Sequence, residues 1–319
     1  MRRWLWVAAA LPIAVAGAIA EQLPRFSIAV VRADGILIPF THFDGRRWRN
    51  DWPLPEVSPK VPLGLHDVPS KWWPNDQPEL SWTLWTDDGE GHTLTVRAPA
   101  WTRAQCQARV GLRTDLQMAG PLPPPDTQPY PKAGAATTAG VRLEPIAVLD
   151  DTTKEWRALA EELRAPFTRA EARALSDGWR LRSEHPVRAE ERREWPIKIE
   201  ALYRAPHTRP GSQLYYFEAM RSYPWKTDET GFACDLVTFA WGWLLETDEG
   251  GRDLQVFARI ADCNRWGISF MMPLGVLRAD GRPLWVVQYS GWEAEDYGII
   301  DFRSPFDPYF LVAMPAGRC

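Results

Sequence analysis

Short apolar runs broken by Asp-Gly turns constrain this chain more than any other feature. Residues 26–38 are rich in Ile and Val and alternate loosely, with Ala33-Asp34-Gly35 between the two apolar halves. Asp-Gly at such a break signals a hairpin, because glycine accepts the positive φ that a tight turn demands. Asp44-Gly45 repeats the signal just before Arg46-Arg47-Trp48, and Asp87-Asp88-Gly89 separates the strand patterns 80–86 and 92–98. The start of the chain therefore reads as a β-meander.

Proline sharpens this reading. The 29 prolines in 319 residues are roughly double the usual ~5%. Seven of them fall within 53–78, which reads as an irregular extended excursion. Residues 121–140 combine a proline-rich stretch with Ala-Gly-Ala-Ala-Thr-Thr-Ala-Gly, the composition of a linker. This organisation predicts a leader at 1–20, a β-rich domain at 21–120, a linker at 121–140 and a second domain at 141–319.

The second domain mixes periodicities. Val141–Leu149 suits an edge strand, since Pro145 cannot donate to a central ladder. Thr152 or Thr153 can cap a helix carrying Trp156, Leu159, Ala160 and Leu163 at helical spacing. Thr168 with Glu171 has the spacing of a capping box opening a second short helix, which Asp177-Gly178 stops. Strand patterns follow at 197–204, 213–223, 235–245, 254–262 and 284–288. The expected fold class is α+β and β-rich: an N-terminal β-meander unit and a C-terminal antiparallel sheet with one or two helices.

The first 20 residues place Arg2-Arg3 before an apolar run ending in Ala18-Ile19-Ala20. That is the order of a cleaved signal peptide, with cleavage after Ala20. It predicts a periplasmic or extracellular protein with no membrane span once the leader is gone. Such a compartment permits disulfides, and there are four cysteines. A two-residue turn at Asp248-Glu249 sets Trp243, Trp241, Phe239 and Val237 against Leu254, Val256, Ala258 and Ile260, one wholly apolar face. The same register sets Cys234 opposite Cys263. Cys106 and Cys319 then pair by elimination.

Charge and motifs exclude several functions. The formal net charge is −4, and the 31 arginines are scattered, so no nucleic-acid footprint is expected. The five histidines show no zinc-binding spacing, and no nucleophile elbow or phosphate-binding loop occurs. Neither a metal nor a cofactor is expected. The candidate carboxylates are Glu218, in the aromatic strand 215–220, and Glu293 and Glu295, which share one face of an extended segment. The candidate ligand-binding aromatics are Trp72, Trp73, Trp292 and Tyr297, placed where packing does not obviously require them. The expectation is an exported, non-catalytic binding or assembly protein, its partner a glycan or an envelope protein. The alternative is a secreted glycan hydrolase built on a carboxylate pair. Oligomeric state is not readable from the sequence.

Overall fold

The computed structural model describes residues 23–50, 52, 64–68, 70, 73, 78–178, 188–223, 236–261, 265, 267–291, 294–304 and 307–319. The leader, Trp72, Trp292, Glu293, Cys234, Cys263 and the carboxylates Asp235 and Asp262 lie outside these residues. The chain is β-rich, 57% strand against 12% helix, and its sheets are antiparallel.

The N-terminal strands are β1 (Phe26–Arg32), β2 (Ile36–Phe43), β3 (Trp48–Arg49), β4 (Ser81–Trp85), β5 (Gly91–Ala104), β6 (Gln107–Thr114) and β7 (Lys132–Thr137). The order β1-β7-β4-β5-β6-β2 closes on itself through β1–β2, making a six-stranded barrel with β3 appended. The Asp34-Gly35 turn lies where expected, with Gly35 at φ 78°. The Ala/Gly stretch of the expected linker is β7, hydrogen-bonded to both β1 and β4. Small residues suit it: Ala135 and Ala136 are completely buried. A Cβ on Gly134 would lie 2.3 Å from the Trp85 carbonyl oxygen.

Next come β8 (Leu143–Glu144) and β9 (Ala147–Leu149), helices α1 (Lys154–Glu162), α2 (Arg164–Gly178) and α3 (Ala189–Glu194), and strands β10 (Lys198–Pro206), β11 (Gln213–Tyr223), β12 (Leu236–Glu246) and β13 (Arg252–Ala261). The chain ends in β14 (Ser269–Ala279), β15 (Arg282–Gly291), β16 (Ala294–Ser304) and β17 (Asp307–Arg318). These form an outer sheet, β13-β12-β11-β10-β9, and a middle sheet, β17-β16-β15-β14-β8. Pro145 divides the expected 141–149 strand, so its halves become edge strands of two different sheets.

Alternation along the strands stacks these units in layers. On β15, Leu284 and Val286 join the barrel's apolar cluster, whereas Trp285 and Val287 join a second cluster with Tyr216 and Trp243 of the outer sheet. Trp243 meets Trp285 and Phe302 edge-on at 5.2 and 4.5 Å. The other face of the outer sheet is covered by Leu159, Leu163, Phe167 and Ala170 of the helices. The order is barrel, middle sheet, outer sheet, helices. A disulfide from Cys106 to Cys319 ties the β5–β6 turn to the last residue. No helix among the described residues is long and apolar enough to cross a membrane.

Two local expectations need correction. In the β12–β13 hairpin Leu244, not Trp243, faces Leu254, and Trp241 faces Phe257. The loop is three residues long, a turn closed by Gly250 at φ 79°, and not the two-residue Asp248-Glu249 turn. The one-residue shift sends Leu254 and Val256 to the helix side. The register argument for Cys234 opposite Cys263 lapses with it. The second correction concerns Thr168, which is inside α2 with its hydroxyl donating to the Arg164 carbonyl. Glu171 caps nothing and points into the outer sheet. Thr153 does cap α1, accepting the Trp156 N–H.

Candidate functional site

The register of the outer sheet assembles a carboxylate-centred site on the face toward the middle sheet. Tyr203 pairs with Tyr216 and Glu218 with Trp241, in neighbouring rows. Strand alternation puts Tyr216 and Glu218 on that same face. The Tyr216 hydroxyl donates to Glu218 Oε1 at 3.1 Å, and the Met271 N–H of β14 donates to the same oxygen at 2.6 Å. Met271 pairs with Tyr289, which brings a third tyrosine to the site.

Glu218 is 2% exposed. Burial pushes its pKa up to about 7, with Glu200 adding to the rise against the Met271 and Tyr216 hydrogen bonds. Burial and then the Glu218 charge push Tyr203 up to about 12 and raise Tyr289 further. Glu200 is exposed at the β-bulge of β10 and belongs to neither ladder pair beside it. A row of rings leads outward from Glu218: Phe239, Trp241 and Phe257 are stacked at 5.7 and 5.9 Å, within 25° of parallel. Phe239 is buried, Trp241 half-buried and Phe257 39% exposed.

Glu295 and Tyr297 lie elsewhere, on the barrel side of the middle sheet. The Tyr297 hydroxyl donates to Glu295, which pairs with Lys132 of β7 at 3.0 Å; both charged side chains are 2% exposed. Burial lowers the Lys132 pKa, opposed by Glu295. Tyr297 is 1% exposed and packs against Phe40. The middle sheet thus separates Glu295 from Glu218. Trp73 is also buried, edge-on to Trp52 at 5.6 Å, and offers no surface platform.

A third buried network surrounds Glu171. It accepts from Arg221 at 3.0 Å, from Thr238 at 2.7 Å and from the Tyr223 hydroxyl, with Arg192 at 3.5 Å. Sequence reasoning singled out neither Lys132 nor Tyr203, and it had Tyr216 and Tyr289 only as neighbours of candidate acids. Lys132 carried a weak signal, as one of only six lysines, alone in a small-residue stretch. Nothing in the sequence linked Tyr203 or Tyr289 to Glu218, since only the fold brings them together.

No group of three or more metal-ligating side chains occurs among the described residues. No known family, curated protein or solved structure matches the chain.

Proposed function

We propose that this is an exported, non-catalytic binding protein whose ligand, a glycan, stacks on the aromatic row beside Glu218. One observation carries the reading: Phe239, Trp241 and Phe257 run from core to surface in near-parallel orientation. Phe257, 39% exposed at the outer end and backed by Trp241, is the ring open to a ligand, an apolar platform suited to the C–H face of a sugar ring. Export is supported by the charged and apolar leader and by the Cys106–Cys319 disulfide. An envelope protein is the other candidate partner.

A glycan array and a pull-down from envelope extracts, both with the chain starting at Glu21, test this directly. Glycan binding that Phe257→Ala or Trp241→Ala weakens about tenfold supports the reading. Binding to neither class of partner refutes it.

A second reading rests on the register, which sets Glu200, at the β-bulge of β10, next to the Ala201↔Glu218 pair. A raised carboxyl beside an exposed one is the arrangement a glycan hydrolase uses. Sugar release that is abolished by Glu218→Gln and by Glu200→Gln selects this reading; release unaffected by either excludes it.

A further inference from the structure

The β10–β11 hairpin holds two buried polar atoms that the aromatic site leaves unused. The ladder runs through Ala205↔Leu214 and Pro206↔Gln213. It closes with the His207 N–H on the Ser212 carbonyl at 3.0 Å. His207 and Ser212 are therefore cross-strand neighbours on the face that carries Ala205 and Leu214, which faces the middle sheet. They are 8% and 1% exposed.

His207 Nδ1 accepts the Arg209 N–H at 3.4 Å, which leaves the ring hydrogen on Nε2. Neither that Nε2 nor the Ser212 Oγ has a hydrogen-bond partner. Buried polar groups are nearly always satisfied, so two orphans side by side call for a ligand. Facing them from β14 is Arg278, on the same side of the middle sheet as Val276. Glu144 takes the Arg278 Nε and Nη2 donors at 3.0 and 2.9 Å. A guanidinium has five N–H donors, so others remain. Burial, then the Arg209 and Arg278 charges, hold the imidazole below its usual pKa range. The ring is thus a neutral N–H donor at physiological pH.

We propose that His207, Ser212 and Arg278 form a binding site for a tetrahedral oxyanion at this end of the two-sheet sandwich. The donors are an imidazole N–H, a hydroxyl and a guanidinium, with Arg209 adding positive charge. Of the nearby carboxylates, Glu144 is already engaged by Arg278 and Asp248 packs against Gly211 on the turn. This set matches the several lone-pair oxygens of phosphate or sulfate, either as the free ion or as an ester on a larger ligand.

Titrating the purified chain with inorganic phosphate while following the His207 imidazole resonances tests the site. The expected result is a saturable shift of the Nε2–H signal. Ser212→Ala and Arg278→Met each weaken binding about tenfold, and His207→Gln, which keeps an N–H donor, retains it when phosphate binding is followed by calorimetry. A His207 signal that does not move refutes the proposal. So does a shift of equal midpoint in Ser212→Ala and Arg278→Met, which identifies a salt effect. A parallel arm with a sulfated disaccharide and inorganic sulfate separates the two sources. Tighter binding of the sugar assigns an ester, and equal binding assigns the free ion. The inorganic phosphate arm does not draw on the aromatic row, so its outcome stands apart from the glycan reading.

Discussion

Glu218 holds its proton to near neutrality because burial outweighs the two hydrogen bonds that favour its charged form. This has a definite effect on stability. The folded state binds the Glu218 proton more tightly than the unfolded chain, so the carboxyl weakens folding as pH rises from the ordinary glutamate range toward about 7. Glu218→Gln should remove that slope. In urea unfolding, wild type and variant should be equally stable near pH 4, whereas at pH 8 the variant should lead by up to about 3 kcal/mol. The carboxylate of Glu171, by contrast, is already paired. Arg221→Met leaves Glu171 short of its main cation, and a loss of about 3–5 kcal/mol is expected in the same assay. Sequence patterns reach only part of this chemistry. Glu218 stands out locally, a charge among Tyr215, Tyr216 and Phe217. Glu171 does not, because three residues after Thr168 it has the spacing of a helix cap. Only the tertiary fold shows that the spacing is coincidental.

The hairpin β12–β13 illustrates where pattern reading stops. Strand β12 is buried on nearly every position, between the helices and the middle sheet. A strand apolar on both faces fits either register equally well, so hydrophobic alternation cannot choose. The turn chooses instead, through Gly250 in the left-handed region. Gly250→Ala should therefore cost about 1–2 kcal/mol in chemical denaturation. A cost near zero would show that the strands fix the register and not the turn. Strand β7 is the complementary case. Its Ala-Gly composition resembles a linker, yet small side chains are what a crowded barrel strand beside Trp85 requires. The hairpin at Asp34-Gly35 was legible because turn chemistry is local. The six-strand closure was not, because β1–β7 pairing spans about a third of the chain.

At the scale of the molecule, the middle sheet is the common wall of the structure. One face packs on the barrel and the other on the outer sheet, so both apolar clusters depend on its strands. The Cys106–Cys319 bond secures that wall to the barrel across a separation of 213 residues. Replacing both cysteines by Ser should lower stability by about 2–5 kcal/mol, read as a lower denaturant midpoint under non-reducing conditions. The same bond makes a covalent ring of everything from the β5–β6 turn to the C-terminus. A protease that nicks one exposed connection inside the ring, such as Thr247–Gly251, frees nothing. The two pieces migrate together on a non-reducing gel and part only when a thiol reductant is added. A protein built this way outlasts a single proteolytic cut with its layers still joined.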